Sequence, residues 1–341
     1  MKKSFTAVKL FFQSPLHLAR GKADYETSQD LLHSDTLMAA LFATGVQLFG
    51  EKETSQLLLG DIRISSAYPF WGEEYFFPKP MSPLPFDLKI DENKQGKARK
   101  KIQYLGKAYF ERLLRAENTD VPEEHFSLVP GFLSDKLEKG LSIVQKEIQQ
   151  RVSVPPMGEG GDSVPYYLER MHFHPKGGLF FLVKGNKETL DKLDLLLRLL
   201  GDNGLGTDRN VGNGLFRAER NLNFELDLPE EADRCMNLGL YCPLKEELSP
   251  ELLEKSAYHL IKRGGYMASA AIPEQRSYRK RSVYMFREAS VFPQHDFQGK
   301  YVNLAPVGPA EYLPHGPVGH SIWREGRSVF IPMIFPNLEN L

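Results

Sequence analysis

Residues 178–227 read GLFFLVKGNKETLDKLDLLLRLLGDNGLGTDRNVGNGLFRAERNLNFELD, and this stretch decides the fold. Its first seven residues are apolar and aromatic enough for a buried strand. Residues 187–200 then repeat leucine at helical spacing, which predicts an amphipathic helix. A glycine-rich loop separates this helix from an alternating segment that predicts a second strand.

A similar order of elements precedes this stretch. Residues 5–12 predict a strand that ends before Pro15, and residues 62–68 predict another. Between them, Ser34 precedes a periodic apolar run, which predicts a helix with Ser34 as its N-cap and an end near Gly50. Strand, helix, strand, insertion, strand, helix, strand is the order of a split β-α-β unit, in which an antiparallel sheet carries both helices on one face.

We therefore predict an α+β protein with two ferredoxin-like (RRM-like) domains. The first covers residues 1–228 and contains an insertion at about residues 72–165, where the pattern is irregular. The second domain covers residues 229–341 and repeats the order more loosely, with a helix that starts at Ser249. Its predicted strands lie at 238–242, 283–287, 301–305 and 320–333.

The composition excludes several classes of function. Lys and Arg (43) nearly balance Asp and Glu (44), so bulk attraction to nucleic acid is excluded and any such site must be local. Cys235 and Cys242 are too few for a disulfide-stapled secreted scaffold, and their spacing is not that of a zinc knuckle. We therefore expect a reducing cytoplasm, with no signal peptide, no membrane span and no metal or other cofactor.

The glycine-rich loop is the main candidate for a binding site. Four glycines fall within eleven residues, at Gly204, Gly206, Gly212 and Gly214. Glycine permits positive φ and lets backbone N–H groups approach a phosphate closely. Dinucleotide sites and P-loops run strand, loop, helix, whereas this loop follows a helix C-terminus, whose dipole repels a phosphate. Arg209 is placed to compensate for that repulsion.

Three stretches resemble a known family. Residues 204–216 (GLGTDRNVGNGLF) resemble the glycine-rich loop of the RAMP superfamily of CRISPR proteins, which follows the last helix of a ferredoxin-like domain. Residues 14–41 (SPLHLARGKADYETSQDLLHSDTLMAAL) resemble more narrowly the opening of one subunit family, the fourth subunit of the type III-A Csm complex. Residues 282–292 (SVYMFREASVF) are similar to the C-terminal half of that family.

The resemblance implies a non-catalytic, cytoplasmic subunit of an antiviral ribonucleoprotein. Such a subunit binds the 5′ handle of crRNA, docks the large Palm-domain subunit and contacts a neighbouring RAMP backbone subunit. Relatives also carry an Arg-rich segment before a β-hairpin, and this chain departs from it with Pro155-Pro156 after Arg151. The RNA-binding residues predicted from the sequence and the resemblance are Ser14, His17, Arg20, Lys22, His33, Ser34, Arg151, Gly204, Gly206, Thr207, Arg209, Asn210, Gly212, Gly214, Arg276, Arg279, Lys280 and Arg281.

Two other functions stay open at this point. Related RAMP proteins include metal-independent endoribonucleases that use a histidine as general acid or base, and His17 or His33 would fill that role here. A purely structural subunit that touches only protein is the other. The four cations of residues 276–281 are as compatible with a solvated surface as with RNA contact.

Overall fold

The computed structural model of the protein describes residues 1–21, 24–127, 131–137, 142–154, 162–267, 272–309 and 311–336. The helices are α1 (Ser34–Leu58), α2 (Glu92–Lys101), α3 (Lys107–Leu114), α4 (Lys187–Asn203) and α5 (Pro250–Glu254). The strands are β1 (Lys2–Phe12), β2 (Ala19–Gly21), β3 (Asp24–Ser28), β4 (Arg63–Ile64), β5 (Tyr68–Trp71), β6 (Glu74–Pro78), β7 (Phe86–Lys89), β8 (Tyr104–Gly106), β9 (Thr119–Pro122), β10 (Phe126–Ser127), β11 (Phe132–Leu133), β12 (Val144–Ser153), β13 (Val164–Phe173), β14 (Gly177–Lys184), β15 (Phe216–Asp227), β16 (Arg234–Asn237), β17 (Leu260–Arg263), β18 (Val283–Phe286), β19 (Val291–Pro293), β20 (Val302–Asn303), β21 (Trp323–Arg324) and β22 (Phe330–Met333). Among the described helices, none is long and apolar enough to cross a membrane.

The largest sheet in the described part of the chain is built around β1. Its strand order is β10-β11-β8-β6-β5-β14-β1-β15, and β4 also pairs with β14. β1 is antiparallel to both of its neighbours, so that Val8 lies opposite Phe181 on one side and Arg220 on the other. The predicted strands at 5–12 and 178–184 and the predicted helix at 187–200 are confirmed as β1, β14 and α4.

Both faces of this sheet are covered, which explains why β14 is apolar without alternation. Val8 and Leu10 of β1 pack with α1 and with the leucine stripe of α4, including Leu193 and Leu197. The opposite face, with Phe180 of β14, packs against α3 and against strands of the second half. Because each face of the strand meets a hydrophobic layer, every residue from 177 to 183 is buried.

Part of the predicted insertion at residues 72–165 joins the main sheet. β6 pairs with β5, and β8 pairs with β6, so this segment extends the main sheet. Phe77 of β6 stacks on Phe110 of α3 with 4.4 Å between ring centroids. Aromatic residues scattered among prolines therefore build core here, a pattern that the irregular sequence spacing concealed.

Helix α1 contains two helical segments that meet at Gly50. Gly50 has φ 79° and ψ 171°, so the first segment ends where the sequence predicts. Gly45 and Thr54 are nine residues apart, a separation that would span about 13.5 Å in a straight helix. In the structure they are in contact, since a Cβ on Gly45 would lie 2.6 Å from Cγ2 of Thr54. The second segment therefore turns back sharply on the first. The predicted N-cap shifts by one residue to His33, and Ser34 is the first helical residue.

The second half has less regular structure than predicted. β16 forms a three-stranded sheet with β19 and β22, whereas β17 pairs with β18 and β20 pairs with β21. The strand predicted at 238–242 is wrong, because β16 ends at Asn237. The predicted cap at Ser249 is confirmed, since its Oγ accepts from the N–H of Leu252 at 3.1 Å, but α5 ends after five residues.

Arginines of the second half form ion pairs and hydrogen bonds with both ends of α1. Near its start, Asp35 is fully buried and pairs with Arg263 at 2.7 Å and with Arg324 at 3.0 Å. At its end, Nη2 of Arg327 donates to the carbonyl of Leu58, and Nη1 donates to the next two carbonyls. These contacts satisfy carbonyls that lack a helical partner and place an acid at the N-terminus, as the helix dipole favours. The two halves are therefore joined through α1.

Candidate nucleic-acid interface

The base of the glycine-rich loop is fixed to the segment that follows β1. The N–H of Thr207 donates to the carbonyl of His17 at 3.1 Å, and the N–H of Gly214 donates to that of Pro15 at 2.8 Å. Oγ of Ser14 accepts from the N–H of Leu215 at 2.8 Å. These amides are used within the protein, so they are not available to a ligand.

Three of the four predicted glycines are required for this packing. Gly204, Gly206 and Gly214 have positive φ, and a Cβ on each would overlap a backbone carbonyl oxygen: that of Asn213, His17 and Leu205, respectively. Gly212 differs, because it has φ 83° but no atom lies within 4 Å of its Cβ position. The sequence analysis explained all four glycines by the close approach of a phosphate. For Gly204, Gly206 and Gly214 this explanation is corrected, because the protein's own backbone occupies the space beside them.

The tip of the loop is accessible. Arg209 and Asn210 are exposed, and Asp208 beside them takes a left-handed conformation with φ 57°. Asp208 pairs with Arg151 of β12 at 2.7 Å, which ties the tip to the β12–β13 hairpin. Among the described residues, Arg209 has no acidic partner within salt-bridging distance. The loop thus presents one uncompensated cation at its tip.

A cleft of about 1040 Å³ lies between this loop and the second half of the chain. The loop and the first turns of α1 form one wall, and the segments around β17 and β18 form the other. Tyr266 and the small residues Ala39, Ala40 and Ala43 line it as well. Its volume of about 1040 Å³ lies slightly above the range of about 300–1,000 Å³ that is typical of small-molecule pockets.

The charge of the cleft has one sign. Seven of its lining residues are cationic: Arg209, Lys262, Arg263, Arg279, Lys280, Arg281 and Arg324. Among the described lining residues there is no Asp or Glu. Asp35, which pairs with Arg263 and Arg324, is fully buried and does not line the cleft. A chain with almost no net charge has therefore concentrated positive charge in one place.

The pKa of Lys280 is lowered by burial and by its position among these cations. Burial lowers its pKa, and the charges of Arg324 and Arg263 lower it further against the opposing charge of Asp35, so that the pKa is about 8. Its backbone N–H donates to the carbonyl of Gly265 at 2.8 Å, which holds it on the ladder that continues β17 and β18. An ammonium kept in such a setting gains a favourable interaction with any anion that enters.

The family model described as "CRISPR Csm4 C-terminal domain" matches residues 230–333. The protein called "CRISPR system Cms protein Csm4" from Thermococcus onnurineus is 28% identical over 270 residues, which cover 76% of this chain and 82% of that protein. Its namesake from Methanocaldococcus jannaschii is 24% identical, with 92% and 93% covered. The chain is Csm4-like, by similarity to these proteins over most of its length.

Solved structures have the same fold as this Csm4-like protein. A chain of the Csm1–Csm4 cassette in complex with cA4 superposes with a TM-score of 0.62 at 22% identity, with 98% of this chain and 100% of that chain covered. A chain of the Csm3–Csm4 subcomplex of the type III-A CRISPR–Cas interference complex gives 0.59 at 20% identity, with 97% and 99% covered. The likeness extends over both halves of the chain.

The cleft of the Csm4-like protein brings together two predicted regions that are distant in sequence. From the glycine-rich loop it takes Gly204, Gly206, Thr207 and Arg209, and from the basic cluster it takes Arg279, Lys280 and Arg281. Asn210 lies on the neighbouring surface of the loop. Arg276 is exposed but does not line the cleft.

Other predicted residues serve the fold or lie outside the described part. His17 is 0% exposed, and its Nδ1 lies 2.7 Å from the carbonyl oxygen of Glu169, so its ring does not face the cleft. Ser34 is buried, and its Oγ accepts from the N–H of Leu240 at 3.0 Å. Arg20 lies on β2, but its side chain is outside the described residues, as is the whole of Lys22.

His33 lines the cleft but is tied to the second half. It is 5% exposed, and its Nδ1 lies 2.7 Å from Oε1 of Glu288, which also accepts from Oγ of Ser66. Burial raises the pKa of Glu288, but the charge and hydrogen bonds of His33 and Ser66 outweigh it and lower that pKa. This buried network joins the start of α1 to the second half of the chain.

Sequence reasoning missed three cations of the cleft, Lys262, Arg263 and Arg324. Lys262 and Arg263 stand directly before Gly264-Gly265, so a basic pair followed by glycines was a signal that could have been used. Arg324 lies in a segment of mixed charge, beside Glu325 and three residues before Arg327, and only the fold brings it within 3.0 Å of Asp35.

Proposed function

We propose that this protein binds single-stranded guide RNA of a type III-A CRISPR effector complex, at the repeat-derived 5′ handle, and has no catalytic role. The observation that carries the proposal is the cleft with seven cations and no acidic residue among its described lining. Phosphodiesters are the ligands that such a surface attracts, and the polymer nature of RNA suits a large cleft with walls from two halves of the chain.

The composition of the walls favours a single strand over a duplex. Cations at Arg209 and Lys280 stand on opposite walls, so a backbone passing between them meets positive charge on both sides. Arg279 lies 5.7 Å from the ring centroid of Tyr266, and a guanidinium on an aromatic ring offers a flat surface to an unstacked base. Single strands present such bases, whereas a duplex hides them.

We infer that the protein assembles with partners of the Csm1 and Csm3 type. The solved relatives belong to a Csm1–Csm4 cassette and to a Csm3–Csm4 subcomplex, and this chain covers each of the matched chains almost completely. The large Palm-domain subunit would dock on one surface and a RAMP backbone subunit on another. In this proposal the two halves are ferredoxin-like domains, the second one degenerate, with their boundary near residue 228.

The decisive experiment measures binding of a fluorescent handle RNA to the purified protein over a salt series. We expect Arg209→Ala and Lys280→Ala each to weaken binding and to reduce the salt slope by about one. Arg276→Ala is the matched control, because this cation belongs to the same cluster but does not line the cleft. Equal effects in all three variants, or none, would reject the cleft as the RNA site.

The same RNA tests the absence of catalysis and the protein-only alternative. We expect the handle RNA to stay intact during incubation in EDTA, and specific cleavage that is lost in His33→Ala would overturn the non-catalytic role. A protein-only subunit would show no salt-dependent binding at all. Co-elution with Csm1-type and Csm3-type subunits in size-exclusion chromatography tests the assembly separately.

A further inference from the structure

A second cavity, of about 420 Å³, opens at the other end of β1 between the two halves. Among the residues that line it are Lys3, Asp61, Arg63, Lys184, His295 and Asp296. β1 runs from Lys2 to Phe12, with Lys3 at its start and the cleft-side loop after its end. At about 3.3 Å per residue, the strand separates this cavity from the loop by roughly 30 Å, so the two sites are distinct.

The cavity contains two like charges that face each other across a strand pair. Lys184 of β14 is the register partner of Arg63 of β4. Like charges directly opposite each other on adjacent strands are destabilising. In the part of the chain that the structure describes, neither residue has a carboxylate within salt-bridging distance. The fold therefore keeps two like charges side by side without a direct ion pair at this position.

The surroundings increase that repulsion. Burial lowers the pKa of Lys184, and the charges of Lys3 and Arg63 lower it further, against Asp296. Burial also lowers the pKa of Arg63, with an added contribution from the charge of Arg327, against Glu325 and Asp61. Asp61 and Asp296 also line the cavity and oppose these shifts, but their charges do not outweigh burial and the neighbouring cations. A small anion in contact with Arg63 and Lys184 would relieve the repulsion between them.

Arg63 is oriented to receive such an anion. Its Nη1 donates to the carbonyls of Gly60 and Ile62, both at 3.0 Å, which fixes the plane of the guanidinium. Its Nε and Nη2 make no hydrogen bond to any described residue. A guanidinium with free donors matches the geometry of an oxyanion, and a lysine beside it adds a point charge.

We propose that this cavity binds a phosphate group, held by Arg63 and Lys184 with Lys3 at the entrance. The paired cations Arg63 and Lys184 favour a phosphate, whose several oxygens can contact both side chains, over a single carboxylate. Gln294 and Gln298 of the second half line the cavity and can bond the remaining phosphate oxygens. The phosphate belongs to a free phosphomonoester or to the end of an RNA.

The test uses the melting temperature of the full-length protein in inorganic phosphate and in chloride of matched ionic strength. A ligand that binds only the folded state raises the melting temperature, so we expect a rise in phosphate. Lys184→Gln should increase the melting temperature in chloride, because it removes the repulsion, and should lower phosphate affinity about tenfold or more. Lys3→Gln, which changes an exposed residue, should weaken the phosphate effect without affecting folding.

Lys2→Gln is the matched control, because its Nζ faces Glu225 at 3.7 Å on the outer surface, and it should keep the full phosphate effect. Competition by adenosine 5′-monophosphate supports a free phosphomonoester, and competition by 5′-phosphorylated RNA alone supports an RNA end. Identical melting temperatures of the wild type in phosphate and chloride would overturn the proposal. An unchanged phosphate effect in both Lys184→Gln and Lys3→Gln would do the same and would indicate an adventitious ion only.

Discussion

Arg151 and Asp208 form an ion pair, with 2.7 Å between Nη1 and Oδ2, that fixes the tip of the glycine-rich loop to the β12–β13 hairpin. Both side chains are about one quarter exposed. Arg151 is a predicted RNA ligand, and the pairing means that its charge is already partly compensated. Arg209, the next residue after the paired aspartate, is therefore the cation that this part of the surface offers to RNA.

Replacing Asp208 with Asn should strengthen RNA binding. Asn tolerates the left-handed conformation of this position and can still bond Arg151, so the loop keeps its shape while one negative charge is removed. An exposed pair contributes up to about 1 kcal/mol, which corresponds to an affinity gain of roughly two- to fivefold. Anisotropy titrations over a salt series measure both the gain and a steeper slope.

Asp191→Asn is the control for the Asp208 variant, because Asp191 pairs with Arg220 at 3.1 Å on another surface. Weaker binding by Asp208→Asn would contradict the charge argument and would show that the ion pair serves RNA binding by holding the hairpin in place.

Alanine at Gly206 should destabilise the protein much more than alanine at Gly212. The two residues have nearly the same φ, 88° and 83°, so the cost of the left-handed conformation, about 1–2 kcal/mol, is common to both. Only at Gly206 does the added Cβ overlap the carbonyl oxygen of His17. Urea denaturation of both variants measures the difference, and equal free energies of unfolding would mean that the loop moves aside freely.

Local patterns predicted those elements that keep one environment along their length. The leucine spacing of α4 and the apolar run of β14 specify their structures because each packs on a continuous hydrophobic layer. Residues 72–133 lacked any regular period, since β6, β8 and β11 are short and largely buried, and β6 places aromatic residues on both of its sides. The sheet that they extend depends on pairing with β5, which no local pattern encodes.

The candidate site was predictable only in part, for a similar reason. Arg209 and Lys280 were identified from local composition, but the fact that they face one cleft depends on the packing of the second half on α1. The glycines predicted a loop that does line the cleft, but three of them are required for packing within the protein. A sequence shows that a residue lacks a side chain, whereas only the fold shows that the space is filled by the backbone of residues 15–17 and not by a ligand.

Asp35→Asn should destabilise the contact between the halves. Removing one partner of a buried ion pair leaves Arg263 and Arg324 without compensation and costs roughly 3–5 kcal/mol. Chemical denaturation measures this loss. Asp233→Asn, at an exposed pair with Arg234, is the control and should change stability by less than about 1 kcal/mol. A loss at Asp35 as small as at Asp233 would contradict the role of α1 as the joint between the halves.

Protonation of Asp35 should lower the stability of the protein at acid pH. Burial raises the pKa of Asp35, but the charges of Arg324 and Arg263 outweigh it and lower the pKa from 3.8 to about 2. A carboxyl whose folded pKa lies below its unfolded value stabilises the fold above the unfolded pKa, and this contribution is lost as pH falls from about 4 to 2. Melting temperatures over that range should fall less steeply in Asp35→Asn than in the wild type.

RNA affinity should depend on pH through Lys280. Its pKa of about 8 in the free protein means that the ammonium is mostly charged at pH 7 and mostly neutral at pH 9. Bound phosphate favours the charged form, so RNA binding takes up a proton above pH 8 and affinity falls as pH rises through that range. Asp35, whose pKa is about 2, stays ionised throughout this range and does not contribute to the pH dependence. Lys280→Arg keeps the cation at every pH and should bind RNA with nearly constant affinity between pH 7 and about 9, the interval set by the shifted pKa. Parallel titrations of wild type and variant isolate this one group, and an equal decline in both would assign the pH dependence to the RNA or to another residue.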